Sequence, residues 1–231
     1  MRTESFATPG PVVLRINVPA GDVEVETAET EETAVELEVR GHDADEVERE
    51  VRVEARPRAE GHEVVVDADE RGGLFRNVEY RVRVRAPHEA DLESNLASAD
   101  IRARGRYGAV GVNVASGDVE LERIASARVN SASGDVRIEQ SSGPVKVNTA
   151  SGDVQLRSVA EGEVNVHSAS GDVEVGIAKG SRLFVDAQSL SGETSSELEL
   201  ESGSPVAGDE GPLVELRAQT MSGDIAVRRA G

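Results

Sequence analysis

The sequence predicts an all-β protein, a single-stranded β-solenoid with coils of 17–21 residues and a more irregular β region ahead of them. Three observations predict it. Valine is the commonest apolar residue, and β-branching favours extended, pleated backbone. Apolar residues alternate with polar ones at period two in many short runs, such as Val35 to Val39 and Tyr80-Arg-Val-Arg-Val84. Above all, the string Ala-Ser-Gly-Asp-Val recurs at Ala115–Val119, Ala132–Val136, Ala150–Val154 and Ala169–Val173, with weaker copies at Ala97–Ile101, Leu190–Thr194 and Met221–Ile225.

Composition narrows the function classes. The 231 residues carry 25 Lys and Arg against 44 Asp and Glu, a net charge of −19 that repels phosphate backbones and argues against nucleic-acid binding. With no cysteine there is no disulfide framework, thiol nucleophile or cysteine-based metal site. No apolar run is long enough for a transmembrane segment, and the first ten residues lack the apolar stretch of a secretory signal, so the chain as given is expected to be cytoplasmic.

From the N-terminus, Val12–Val18 and Val23–Val25 read as strands. Asp43–Glu50 is the one helix candidate, two turns at most. Val51–Ala55 and Glu63–Asp67 form a hairpin around Arg56–Gly61, and Arg71-Gly-Gly73 is a second turn. Residues 1–88 are thus an N-terminal β region, a cap continuous with the solenoid, and 89–231 are the repeats. Ser202–Pro212, rich in glycine, proline and acids, is an inserted loop on the last repeat.

The repeats align on their acidic residue: Asp100, Asp118, Asp135, Asp153, Asp172, Glu193 and Asp224. Eight, six and four positions upstream the residues are apolar or small (Val145, Val147, Thr149 in one copy), and so are those one and three downstream (Val154, Leu156). Two short strands meeting at a Ser-Gly-Asp corner make one coil, which buries its apolar face only when coils stack. Other columns fit a stack. Serine stands two before the acid in all seven copies. The fifth position before it reads Asn95, Asn113, Asn130, Asn148, His167, Gln188, Gln219, suited to an amide ladder. Two after the acid, Arg102, Glu120 and Arg137 alternate in sign. A degenerate copy (Asn17, Gly21-Asp22, Val23, Val25) opens the chain.

The acidic column is the sharpest chemical candidate. Carboxylates about 4.8 Å apart repel by roughly 0.9 kcal/mol per pair even in water. Each acid is expected to accept hydrogen bonds from its own turn, as Asx turns do. The other reading is a ladder of divalent-cation sites along Asp100, Asp118, Asp135, Asp153, Asp172, Glu193 and Asp224, with calcium the oxygen-preferring ion. Histidines 42, 62, 88 and 167 form no local pair, and no cofactor motif or catalytic residue stands out. The few aromatics (Phe6, Phe75, Tyr80, Tyr107, Phe184) weigh against a polysaccharide-acting solenoid enzyme, and Phe184 is expected to pack in the core or a corner.

Ala20–Val25 together with the Ser-Gly-Asp copies resembles the bacterial putative-adhesin family, a domain-of-unknown-function group, over residues 9 to 229. The resemblance implies a right-handed β-helix and an association with the cell surface, the envelope or envelope stress. The expected function is a non-catalytic structural or binding role with a protein or cell-envelope partner. A self-assembling scaffold, joined through the solenoid ends, is the alternative.

Overall fold

A computed structural model describes residues 1–68, 78–196 and 211–230. The turn at 71–73, Phe75 and positions 202–210 of the expected insert lie outside the described residues. In chain order the elements are β1 Arg2–Ala7, β2 Val12–Ala28, β3 Glu32–Gly41, α1 Ala44–Glu50, β4 Arg52–Pro57, β5 His62–Asp67, β6 Val78–Pro87, β7 Ala90–Ser116, β8 Val119–Ser133, β9 Val136–Ser141, β10 Val145–Ser151, β11 Val154–Val159, β12 Gly162–Ser170, β13 Val173–Ile177, β14 Arg182–Ser191, β15 Thr194–Ser196, β16 Leu213–Ser222 and β17 Ile225–Arg229. All the strands of the described residues belong to one continuous sheet, wound so that equivalent strands of neighbouring coils pair in parallel.

The columns read from the sequence are the register of the sheet. Asn130 lies opposite Asn148 and Asn113, Ser133 opposite Ser151 and Ser116, and Val136 opposite Val154 and Val119. The degenerate first copy obeys the same rule, pairing Asn17 with Asn95 and Asp22 with Asp100. Inside the coil the two inward faces meet. Val129, Val136, Val147, Val164, Val166 and Val175 are fully buried, and the core runs unbroken along the stack. Period-two alternation delivers this, because each strand sends every second side chain inward.

Between the strands the chain turns at glycine. Gly134 has φ +118, and a Cβ there would stand 2.1 Å from the carbonyl oxygen of Gly117, the equivalent residue one coil back. Only a residue without a side chain lets the corners stack this closely. In the first copy Ala99 holds the corner, buried to 2% exposure.

Stack order departs from chain order at both ends. In the middle, coils 90–104, 108–123, 126–141, 145–159 and 162–177 follow one another. Next comes coil 213–229, and coil 182–196 lies outermost, since β16 pairs with both β12 and β14. This departure from chain order has a physical reason. An outermost coil lacks a neighbour on one side. Coil 213–229 brings Leu216, Ile225 and Val227, all nearly fully buried, whereas coil 182–196 offers Thr194 and Ser196 at two of the same inward positions. The more apolar coil occupies the interior.

At the other end β2 is flanked by β7 on one side and by β5 and β6 on the other. Beyond these the pairing turns antiparallel: β3 on β6, β1 on β3, and β4 on β5. The hairpin expected around Arg56–Gly61 forms, closed by Arg58 N–H donating to the Gly61 carbonyl at 3.0 Å. The short helix forms too, with Val47 buried.

Candidate functional site

Each coil presents two outward faces, one from each strand, and they differ in chemistry. The face of the second strand is charged. It carries the acidic column, and the acids are held in a way the sequence did not suggest. The main-chain N–H of each acid donates to Oδ1 of the acid one step back in the stack: Asp118 to Asp100 at 3.0 Å, Asp135 to Asp118 at 2.9 Å, Asp153 to Asp135 at 3.0 Å and Asp172 to Asp153 at 2.9 Å. Asp224 then donates to Asp172, and Glu193 to Asp224, both at 2.8 Å, in agreement with the altered coil order. The acids therefore bond between turns rather than within one. The corner points each carboxylate along the stack, where the next coil's amide waits.

Arginines offset the repulsion. Arg102 lies 3.4 Å from Glu120 and 3.7 Å from Asp100, and Arg137 lies 2.9 Å from Asp135 and 3.9 Å from Glu120. The sign alternation of the sequence is thus a chain of ion pairs across coils. Among the described residues no group of three or more His, Asp or Glu side chains is arranged to hold a metal ion.

The face of the first strand is different. Its amide column is a ladder in which Asn95 Nδ2 donates to Asn17 Oδ1 at 2.9 Å, Asn113 to Asn95 at 3.0 Å, Asn130 to Asn113 at 2.8 Å and Asn148 to Asn130 at 2.8 Å. Asn17 itself reaches Asp67 Oδ1 at 3.4 Å. His167, Gln219 and Gln188 continue the column in register, but the amide-to-amide bonds stop at Asn148. Two residues on runs a column of exposed small side chains, Ala115, Ala132, Ala150 and Ala169, ending in Met221 and Leu190 at 61% and 78% exposure.

Between the two columns lies a shallow groove floored by Val114, Ser131, Thr149 and Ser168. Thr149 Oγ1 donates to the Ser151 carbonyl at 3.1 Å. The equivalent hydroxyls of Ser131 and Ser168, buried to 8% and 7% exposure, have no partner. The exposed alanine wall was spelled in the repeat: alanine three before the acid has the outward parity of the asparagine five before it, a signal that counting repeats alone overlooks.

Phe184 was expected to pack in the core or a corner and is 59% exposed. It stands nine before Glu193, an odd and therefore outward position, on the outermost coil. Tyr107 is the buried aromatic of a coil junction. Its hydroxyl lies 2.8 Å from the Val25 carbonyl and 3.1 Å from that of Arg104, and burial pushes its ionisation far above the usual value. The histidines stay apart: His42 is exposed beside Asp43 at 3.7 Å, and His88 Nδ1 sits 3.3 Å from Thr27 Oγ1. Among the described residues no helix is long and apolar enough to cross a membrane.

Solved structures resemble the chain at low identity. A putative adhesin from Bacteroides fragilis superposes with a TM-score of 0.50 at 9% identity, covering 99% of this chain and 96% of that one. A putative adhesin from Parabacteroides merdae gives 0.48 at 10% identity over 98% and 95%, and a putative cell adhesion protein from Clostridium sporogenes 0.43 at 11% identity over 99% of both. No curated protein matches in sequence. The Toastrack DUF4097 family matches twice, over residues 13–160 and 90–228, as a repeat allows when its coils can be aligned in more than one phase. The two matches span nearly the whole length, and the chain belongs to the Toastrack DUF4097 family.

Proposed function

We propose that the protein is a non-catalytic binding solenoid that docks a cell-envelope component on the face of its first strands. One observation carries this reading. In a chain that is 30% charged, the amide and alanine columns run through eight coils without a single Asp, Glu, Lys or Arg. Depletion of charge marks the core of a binding surface, because desolvating charged groups costs more than desolvating amides and methyls. The ion pairs of the stack lie outside these two columns and keep the solvent they need. The solved structure from Bacteroides fragilis, described as a putative adhesin, agrees with a binding role. So does the engagement of the acidic column by main-chain amides, which leaves its carboxylates poorly placed for acid–base work.

The reading is tested with Ala132→Glu and Ala150→Glu, which place charge on the exposed alanine wall, and with Glu120→Gln on the other face as control. Binding to isolated bacterial envelopes is expected to fall with the alanine variants and to persist in the control. Undiminished binding by folded alanine variants overturns it.

A second reading, self-association, is favoured by the outermost coil. Among the described residues β14 pairs with β16 alone, and Phe184, Leu190, Leu213 and Met221 are exposed at that end. A long unpaired edge is a template for another strand. Light scattering over a concentration series tests it: growth that Phe184→Lys abolishes supports end-on assembly, and a constant monomer mass excludes it.

A further inference from the structure

On the same face, one column beyond the amides, Arg128 and Lys146 stand directly opposite each other on adjacent strands. Like charges so placed destabilise a sheet. Other arginines of the stack have carboxylate partners: Arg15 reaches Glu63 and Glu93, Arg102 reaches Glu120, Arg217 reaches Glu163, and Arg106 and Arg123, which also face each other, reach Glu89 and Glu122. No carboxylate among the described residues lies within ion-pair distance of Arg128 or Lys146. Their column neighbours are Gly111 and Asn165, which are uncharged, and Glu93 follows beyond Gly111. Two residues on from the cations are Asn130 and Asn148, and the buried, unpartnered hydroxyl of Ser131 lies on the groove floor of the same coil.

We infer that this stretch of the face binds a hydroxyl-rich glycan through an isolated carboxylate seated between Arg128 and Lys146. The inference rests on the docking face proposed above and names its ligand class. A planar guanidinium beside an ammonium suits one carboxylate. In the ladder each asparagine spends one N–H and one lone pair on its neighbours, which leaves a donor and an acceptor side by side facing outward. A sugar hydroxyl is both donor and acceptor and matches that pair. The alanine column offers methyl surface to the C–H face of a sugar ring. Charge sets the density: the protein's net charge of −19 and nearby Glu93 repel a continuous polyanion, while one carboxylate on a neutral chain meets only the cation pair.

The probes are hydroxyethyl cellulose, sparingly carboxymethylated cellulose and polygalacturonate, compared by affinity electrophoresis of the full chain. The carboxymethylated polymer is expected to retard the protein about tenfold more strongly than the other two, an advantage that shrinks as salt is raised. Arg128→Gln with Lys146→Gln should remove that advantage and leave the melting midpoint unchanged or higher, because a like-charge contact is lost. Equal retardation by neutral and carboxymethylated polymers, abolished by Ala132→Glu, overturns the carboxylate seat and keeps the docking face. Retardation by none of the polymers overturns the glycan assignment, and the envelope experiment then judges the face by itself. Strongest retardation by polygalacturonate also overturns the inference.

Discussion

The main-chain N–H of Asp135 donates to Oδ1 of Asp118 across 2.9 Å, one coil back in the stack. That bond explains why a chain already burdened with acid keeps a carboxyl group at every corner. The glycine corner turns an amide out of the strand ladder, and the side chain of the preceding coil is the acceptor that satisfies it. Asp118→Asn retains an oxygen in the same place and removes a charge from a repelling row, so it is expected to melt at or above wild type. Asp118→Ala leaves the half-buried Asp135 amide without its partner and should cost about 1–3 kcal/mol. Urea denaturation of the pair distinguishes the acceptor's role from the charge's.

Calcium provides a second check on the same column. With Oδ1 of the aspartates bonded to amides and Arg102 and Arg137 alongside, the geometry favours a self-satisfied ladder over a row of cation sites. Thermal midpoints in millimolar calcium and in chelator are expected to coincide. A rise in calcium that Asp135→Asn removes would reinstate the metal reading.

Much of this fold was legible because solenoid stacking converts sequence columns into spatial ones. Asn95, Asn113, Asn130 and Asn148 read as neighbours, and Arg102 opposite Glu120 as an ion pair, from the repeat spacing alone. Spelling does not encode which coil follows which. Met221–Ile225 and Leu190–Thr194 both read as weaker copies of the corner, and residues 197–212 separate the strands where 142–144 suffice between β9 and β10, so either order satisfies the connection. Inward Thr194 and Ser196 against Ile225 and Val227 decide it energetically, a comparison between coils rather than within one. Nor does a column reveal the direction of a side chain along the stack, and so the acids' partners were placed in the wrong turn. Arg128 and Lys146 were visible as letters. Their significance needed the absence of a partner carboxylate in three dimensions.

The corner glycines make a sharp stability prediction. At Gly152, with φ +120, a Cβ would stand 2.2 Å from the Gly134 carbonyl oxygen, a main-chain atom that cannot yield without shifting its coil. Gly152→Ala is expected to cost about 2 kcal/mol or more in chemical denaturation, from strain and steric conflict together. Gly111, in a strand, is a control of the opposite sign. The nearest atom to its Cβ position is 3.9 Å away, so Gly111→Ala should be neutral or stabilise by about 0.4–1 kcal/mol.

Tyr107 makes a prediction about pH. Burial raises its folded-state pKa well above the value near 10 expected for the unfolded chain. Its contribution to stability is therefore fully present below pH 10. As pH rises further, the unfolded chain releases a proton that the folded one retains, and stability falls. Difference absorbance should show Tyr107 ionising only with unfolding. Tyr107→Phe should flatten the alkaline loss. At neutral pH it should cost about 1–3 kcal/mol, because the carbonyls of Val25 and Arg104 lose a buried donor.

The reversed order of the last two coils is tested by one substitution made in both. Val227 is 2% exposed and flanked by coils on both sides, whereas Val185 is half-buried on the outermost strand. Both are valines on inward positions of the repeat, so transfer to water removes the same methyl groups and only the surroundings differ. Val227→Ala is expected to cost about 1–3 kcal/mol and Val185→Ala less than about 1 kcal/mol. Hydrogen exchange should rank the strands in the same way, with β14 amides opening well before those of β16, although β14 comes earlier in the chain. If β16 exchanged first, or if the two valine variants lost equal stability, coil 213–229 would have to be the outermost one, and the exposed edge at Phe184 would disappear with the change.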